Sequence, residues 1–413
     1  MAILSHQTTT RCEDEDFVRA SLGAATPGDD LQARTDAAVA VTKRNAEITD
    51  RDGRFPKEAF DELRAQRLLG LLLPQEYGGE AAAISDIAEI CYALGRVCSS
   101  TAMIFAMHQA SVACIVRHAN KNAKFESYLR RIGKEQILIA SSTTEGQSGA
   151  NLRSSASPIV WSGDRISLSR AATVISYGKD ADAIVSTARK SEDSVPTDQV
   201  LALFFKNDYR LERTGKWDAL GMRGTCSEGF QLEASADREQ VLSEPYERIH
   251  RHTMVPVTHL LWGACWAGVA AGAVERAQMF IRTVARAAKG TLPPGAPLAT
   301  QASLSLLTLR NLLDSALADF ARRAGNANDL EDVGFQTSLN LLKVGASELS
   351  ISTVMQAFNA CGIAGYRNDS EFSIGRSLRD ILSSSIMINN NRILTNVASA
   401  ALVGGVPEHL GRQ

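Results

Sequence analysis

The sequence predicts a mainly helical protein with a central β domain, in the order N-terminal helical domain, middle β-barrel or sandwich, and C-terminal four-helix bundle. Three successive zones with different spacing of apolar residues lead to this prediction. Apolar residues recur at helical spacing up to about residue 135, short β-rich segments follow, and long apolar helices fill the rest. We expect four parts, namely a flexible N-terminal extension (1–30), a helical domain (31–135), a β domain (136–245) and a helical bundle (246–413).

The helical domain follows a polar, acidic stretch that has too few apolar residues to form a core. Asp30 can cap the first helix, because its carboxylate can accept a hydrogen bond from a free N–H group of the first turn. Pro56 stands at the start of a second helix, where its missing N–H costs little. Apolar residues at helical spacing then continue through residues 84–133.

The β domain and the bundle are predicted from different periodicities. Five short segments rich in β-branched and aromatic residues predict strands, at residues 137–140, 157–161, 165–168, 183–187 and 200–205. Four long segments with broad apolar faces predict the bundle helices, at residues 262–280, 303–324, 338–358 and 389–402.

The composition excludes several classes of protein. The chain has 413 residues, 45% of them hydrophobic and 22% charged, with a net charge of -2, so nucleic acid is not an expected partner. No secretory signal and no membrane span are predicted from the start or the apolar runs. The seven cysteines are dispersed without zinc-ligand spacing, which predicts no metal site and fits a reducing cytoplasm.

Six local patterns carry a resemblance to a known family. They are Leu72–Gly79, Thr144–Asn151, Ile175–Asp182, Leu220–Ser227, Gln356–Phe358 and Arg379–Asp380. In this order they resemble the motifs of the acyl-CoA dehydrogenase family over about residues 35–403. The resemblance implies the three-part fold, an FAD cofactor, an acyl thioester substrate on CoA or on an acyl carrier protein, and a homodimer or homotetramer.

The resemblance also implies the flavin-binding residues. They are Ser141, Thr143, Thr144, Gly149, Ala150, Val174, Ser176 and Gln356. Gly149 lets the backbone approach the cofactor closely, and Ser176 is expected to donate to flavin N5. Val174 stands where the family usually has an aromatic residue that shields the flavin edge. Gln356 is expected to reach the FAD pyrophosphate from a neighbouring subunit. The chain has no Rossmann glycine motif, which fits a family that binds FAD without one.

The chain departs from the family pattern at the catalytic base. Eight residues after the Asp of the Arg-Asp motif, where the family usually has a glutamate, this chain has Ile388. The alternative position on the first bundle helix is about Thr258, which is not acidic either. His259 follows it, and an imidazole with a pKa near ~6.5 suits a general base. A packed or solvated helix-end histidine is the other interpretation, and Glu145 and His108 are further candidates.

Three functions remain open at this point. The first is an FAD dehydrogenase that oxidises the Cα–Cβ bond of an acyl thioester with a non-standard base. The second is a flavin monooxygenase that uses reduced flavin and O2. The third is a redox-neutral or scaffold flavoprotein in a biosynthetic pathway. The sequence identifies neither the electron acceptor nor a flavin reductase.

Overall fold

The computed structural model describes residues 29–145 and 154–403. The helical domain consists of α1 (Asp29–Asp52), α2 (Lys57–Ala65), α3 (Ile84–Gly95), α4 (Ser99–Arg117) and α5 (Ala123–Glu135). The first helix begins two residues earlier than the predicted start at Leu31, so Asp30 lies inside its first turn, where it pairs with Arg34 at 3.0 Å. The predicted extension up to residue 28 lies outside the described residues.

The middle of the chain forms two sheets. The three-stranded sheet has the order β1 (Ile139–Ser142), β4 (Ala183–Arg189), β5 (Gln199–Phe205), in which β1 and β4 are parallel. The antiparallel four-stranded sheet has the order β2 (Val160–Ser162), β3 (Arg165–Ile175), β7 (Glu228–Asp237), β6 (Tyr209–Gly215). Strand β1 contacts β3 and β5 contacts β7, so the two sheets pack on each other as in a sandwich.

The sequence prediction missed β6 and β7. Strand β6 is largely exposed and polar, so it lacks the apolar content on which the prediction depended. Strand β7 buries Phe230, Leu232, Ala234 and Ala236 on one face and turns polar residues outward. That alternation is the signal of a half-buried strand.

The C-terminal part is helical throughout. A short helix α6 (Tyr246–Ile249) passes through a wider π turn at His250–Met254 into α7 (Val255–Ala287). The helices that follow are α8 (Ala296–Arg323), α9 (Ala327–Glu331), α10 (Val333–Cys361), α11 (Ile363–Tyr366), α12 (Gly375–Ile381) and α13 (Asn390–Val403). Helices α7, α8 and α10 contact one another and α13 packs on α10, which gives the predicted bundle.

Glycines allow α7 to approach α3 closely. A Cβ atom at Gly268 would lie 2.3 Å from the carbonyl oxygen of Tyr92, and one at Gly95 would lie 2.5 Å from that of Cys265. Only glycine fits at such a crossing. This contact joins the N-terminal helices to the bundle.

Two helices of the described chain are long and apolar enough to cross a membrane. They are α4 and the continuous helical stretch Tyr246–Ala287, and 94% and 89% of their most apolar windows are buried inside the protein. Core helices of this kind meet the same criteria of length and composition. Their apolar surfaces are covered by the protein itself.

Candidate active site

A cavity of about 960 Å³ opens where α6, α7, α10 and α13 meet the loops next to β1 and β5. It is lined by three of the residues singled out in the sequence, Thr144, His259 and Ile388. Its apolar wall consists of Val255, Val333, Ile386, Ile393 and Val397. The volume is in the range of small-molecule sites, and apolar walls with a few polar groups are typical of them.

His259 presents one ring nitrogen without a partner. The side chain is 1% exposed, and Nδ1 lies 3.1 Å from the carbonyl oxygen of Leu339. Since a carbonyl only accepts, Nδ1 carries the proton and Nε2 keeps a free lone pair. Nε2 is buried and has no hydrogen-bond partner in the described protein. Burial lowers the pKa of His259 to about 4, so the ring is neutral at physiological pH.

Ile388 lies in the segment between α12 and α13 with a φ of +52°. A β-branched residue rarely adopts this left-handed conformation, which costs roughly 1–3 kcal/mol unless neighbouring contacts enforce it. The carbonyl oxygen of Ile388 accepts a hydrogen bond of 2.6 Å from Nζ of Lys343. The sequence analysis did not single out this lysine, because a lysine on a helix usually points into solvent.

The loop after β1 contributes to the cavity through Thr144, while Ser141 and Thr143 are half-buried beside it. Gly149 and Ala150 lie outside the described residues. Their predicted roles in flavin binding remain predictions.

Glu145 is a structural carboxylate. It accepts hydrogen bonds from the backbone N–H of Ala156 (2.6 Å) and the hydroxyl of Ser155 (3.0 Å), and it lies 3.7 Å from the buried guanidinium of Arg170. Burial alone would raise the pKa of Glu145, but the charge of Arg170 and these hydrogen bonds lower it overall. Held in this way, Glu145 is unsuited to accept a substrate proton.

His108 is also structural, because both of its ring nitrogens are occupied. Nε2 donates to the carbonyl oxygen of Leu69 at 2.8 Å, and Nδ1 accepts from the N–H of Ile139 at 3.0 Å. Burial lowers the pKa of His108 to about 4. The ring therefore joins α4 to β1 and has no lone pair left for chemistry.

Ser176 ends a chain of hydroxyl groups at the edge of β3. Thr225 donates to the carbonyl oxygen of Met222, and 2.8 Å separates the oxygens of Thr225 from Ser227 and of Ser227 from Ser176. Because each hydroxyl has one proton, this order makes Ser227 donate to Thr225 and Ser176 donate to Ser227. The half-buried Ser176 oxygen then offers lone pairs, and it can donate to flavin N5 if its proton turns away from Ser227.

Val174 and Gln356 lie outside the cavity lining, and so do Ser176, Ser141 and Thr143. Val174 is 36% exposed on β3. Gln356 lies on α10, where its side-chain oxygen accepts from the hydroxyl of Ser305 at 3.1 Å and its nitrogen donates to Ser352. The structure therefore brings Thr144, His259 and Ile388 together, and leaves Val174 and Gln356 apart from them.

The Arg-Asp motif holds three elements together. Arg379 pairs with Asp50 of α1 and donates to the carbonyl oxygen of Leu220 at 3.0 Å. The buried Asp380 accepts from the N–H of Met222 at 2.6 Å. The motif thus fixes the turn that carries the hydroxyl chain.

Comparisons with known proteins agree with this architecture. Residues 31–136 match the family model for the acyl-CoA dehydrogenase N-terminal domain. Cyclohex-1-ene-1-carbonyl-CoA dehydrogenase of Geobacter metallireducens is 26% identical over 362 residues, covering 86% of this chain and 92% of that protein. The 3-sulfinopropanoyl-CoA desulfinase of Paraburkholderia xenovorans is 23% identical over 366 residues, covering 87% and 91%.

A solved structure shares the fold over almost the whole chain. FMN-bound TdsC from Paenibacillus sp. A11-2, a dibenzothiophene monooxygenase, matches with a TM-score of 0.78 at 19% identity. The match covers 92% of this chain and 98% of TdsC. Similar folds at this identity serve different reactions, so the likeness extends to the fold alone.

Proposed function

We propose that this chain, an acyl-CoA dehydrogenase-like enzyme, oxidises the Cα–Cβ bond of an acyl thioester. The thioester is carried on CoA or on an acyl carrier protein, and FAD is the cofactor. His259 replaces the usual glutamate as general base.

The unpartnered Nε2 of His259 carries this proposal. A buried nitrogen without a hydrogen bond costs free energy, roughly 1–3 kcal/mol, so a ligand group at that nitrogen would recover the cost. The Leu339 carbonyl fixes the tautomer in which Nε2 is basic. The ring also lines the same cavity as Ile388, the position of the missing glutamate.

The residues present fit a flavin at the end of β3. The Ser176 oxygen is accessible and can either donate or accept, because its proton can turn toward Ser227 or away from it. When bound, the flavin supplies the acceptor for the hydride that leaves the β-carbon. Thr144 would contact it from the loop after β1, and the apolar wall around Ile388 would exclude water.

The protein's own part in the reaction is a proton transfer. Nε2 of His259 accepts the α-proton as a hydride leaves the β-carbon, so the substrate loses one proton to the histidine and one hydride, which carries both electrons, to the acceptor. The resulting imidazolium keeps its Nδ1–H bond to Leu339. Because burial lowers the pKa of His259 to about 4, the imidazolium gives up this proton again at neutral pH.

A flavin monooxygenase is the second candidate, and two observations favour it. The aliphatic Val174 is 36% exposed where an aromatic shield is expected, and Ile388 makes the cavity wall apolar. Both would leave space beside the flavin for O2. A redox-neutral or scaffold role remains the third candidate and would require only binding.

Anaerobic titration separates these candidates. The protein, loaded with FAD and in parallel with FMN, is mixed with a panel of acyl thioesters while the flavin absorbance near ~450 nm is followed. Bleaching without oxygen supports the dehydrogenase. Flavin that stays oxidised contradicts it, and oxygen uptake that depends on reduced flavin then identifies the monooxygenase.

The variant His259→Asn tests the base itself. The Asn amide can keep the hydrogen bond to Leu339 while the basic nitrogen is lost. We expect the bleaching rate to fall by ~10²–10⁴-fold with flavin binding retained. His108→Gln is the matched control, because it replaces another buried histidine and should leave the rate per folded molecule unchanged. A rate that survives in His259→Asn contradicts His259 as the base.

We also propose that the enzyme is a homodimer or homotetramer. Helices α8 and α10 expose large apolar side chains, among them Leu304 (55%), Leu307 (52%) and Leu341 (42%). Apolar surface concentrated on neighbouring helices is typical of subunit contacts. A monomeric mass by light scattering would contradict this assembly.

A further inference from the structure

Lys343 is a buried lysine without a carboxylate partner in the described protein. Its side chain is 0% exposed on α10. Nζ donates to the carbonyl oxygens of Ser384 (2.9 Å) and Ile388 (2.6 Å) and to Oδ1 of Asn390 (2.7 Å). An ammonium group has three donors, so all of them are used. Nζ also lies 5.6 Å from the ring centroid of Trp266.

All three acceptors belong to one short piece of chain, residues 384–390, which we call the wall segment. Ile386, Ile388 and Asn389 of this segment line the cavity. Outside the helices, its backbone bonds are those from the N–H groups of Ile386 and Met387 to Ser383 and the one that the Asn389 carbonyl oxygen accepts from Ile393. The ammonium group therefore fixes the segment from behind the cavity surface.

The same turn of α10 also holds His259. Leu339, whose carbonyl accepts from His259, precedes Lys343 by four residues and so lies one helical turn away. The turn Leu339–Lys343 thus carries a contact to the proposed base and a contact to the wall segment. Helix α10 contacts His259 through Leu339 and the wall segment through Lys343. A shift of the wall segment alone would therefore change its position relative to His259.

Burying an ammonium group of this kind costs free energy, so bulk stability does not explain why a lysine stands here. Carbonyl dipoles and an aromatic ring compensate the ammonium group less well than a carboxylate would. A methionine of similar length would fill the space without that cost. What methionine cannot do is hold three acceptors in one geometry.

We propose that Lys343 is a positioning residue, whose ammonium group holds the wall segment, including the left-handed Ile388, in register with His259. The structural half of this proposal stands on the hydrogen bonds alone. The half that concerns the reaction rests on the proposed function. At neutral pH the group remains charged, since burial lowers the pKa of Lys343 only to about 8.

Hydrogen exchange of the FAD-loaded protein without substrate tests the structural half. In Lys343→Met, we expect amides in the peptide covering 382–392 to exchange about 10- to 100-fold faster, the factor for losing hydrogen bonds to a charged donor. Lys206→Met is the matched control, because Lys206 donates to the carbonyls of Lys179 and Ala181 away from the cavity lining. Asn390→Ala removes one of the three acceptors and the bond from Asn390 to Ser347 but keeps the lysine and its two carbonyl bonds, so it should also speed exchange in the same peptide.

The exchange pattern decides this half. Faster exchange confined to the wall segment supports the proposal. Unchanged exchange there in both Lys343→Met and Asn390→Ala overturns it, and so does an equal increase across all peptides, which marks a general loss of stability. If Lys343→Met does not fold, Asn390→Ala alone carries the comparison with Lys206→Met.

A double-mutant cycle tests the functional half. Lys343→Met should lower the limiting rate of anaerobic flavin bleaching by about 10-fold or more, yet add little in a His259→Asn background, because alignment matters only while the base is present. Equal losses in both backgrounds overturn the positioning role. If the wild type itself is not bleached by any thioester, the proposed function fails, and the exchange comparison still decides the structural half.

Discussion

Two buried histidines in this protein have the same pKa and opposite surroundings. His108, at the junction of α4 and β1, uses both ring nitrogens in hydrogen bonds with backbone groups. His259, which lines the cavity, uses only Nδ1 in a hydrogen bond and leaves Nε2 without a partner. Burial lowers the pKa of each to about 4. Neither burial nor the pKa therefore distinguishes a structural histidine from a candidate catalytic one, whereas the unpaired nitrogen does.

The surroundings differ in the same way. At the junction, Ile139 has its N–H bonded to His108 and its carbonyl oxygen bonded to the hydroxyl of Tyr177 at 2.9 Å. At the cavity, an unpaired nitrogen, a left-handed isoleucine and a lysine without a carboxylate occur together. Such departures from local rules are expected at functional sites, where stability is given up for geometry.

Substitution by leucine gives the largest expected difference in stability. His108→Leu leaves the Ile139 N–H buried without a partner and the Leu69 carbonyl with only a long bond of 3.4 Å from Gln109, which should lower the free energy of unfolding by about 2–4 kcal/mol. His259→Leu removes only the additional bond to the Leu339 carbonyl, which lies inside α10 and keeps its helical partner, and should cost about 1 kcal/mol. Urea unfolding measures both. Equal losses would break the distinction between the two sites.

Acid should affect the two histidines alike. A folded-state pKa near 4, below the unfolded value of about 6.5, means that the unfolded chain binds more protons between these pH values. Stability is then full above pH ~6.5 and declines toward pH ~4, by about 3 kcal/mol for each histidine. His108→Gln and His259→Asn should each flatten the pH dependence of unfolding similarly. A flattening in only one variant would show that the two environments differ in polarity after all.

Removing the side chain of Ile388 gives the smallest effect. Ile388→Gly relieves the left-handed backbone, which favours folding by about 1 kcal/mol, and it removes a half-buried side chain, which opposes this. We expect a net change within about 1 kcal/mol by thermal unfolding. Val174→Gly on β3, where the backbone has no positive φ, lacks the relief and should be more destabilising. A large loss in Ile388→Gly would mean that side-chain packing, not Lys343, fixes the wall segment.

Much of the fold follows from local patterns. The predicted order of helical domain, β domain and helical bundle is confirmed. It could be predicted because apolar residues recur with a period of about 3.6 residues in helices and 2 in strands. The ends of elements are less predictable, and α7 extends beyond its predicted range at both ends. Caps and close crossings such as that at Gly268 depend on partners far along the chain.

The candidate site was predictable only in part. The sequence indicated His259 and Ile388, and the structure places both on one cavity. It could not indicate that Leu339 fixes the tautomer of His259, since 80 positions separate them. The same holds for Lys343, whose three acceptors follow it by more than 40 positions. Signals of this kind come from tertiary contacts, which periodicity does not encode.

The π turn at His250–Met254 makes the shape of one side of the cavity depend on the number of residues in the turn. A π turn holds one more residue than an α turn, so it advances the helix that precedes it by about 100° around the axis relative to a regular helix. His250 and Arg251 line the cavity from this turn, and Tyr246 lines it from the helix before it. Deleting a single residue between 250 and 254 would let the helix become regular and would rotate this side of the cavity away. Here the number of residues matters more than the identity of any one of them.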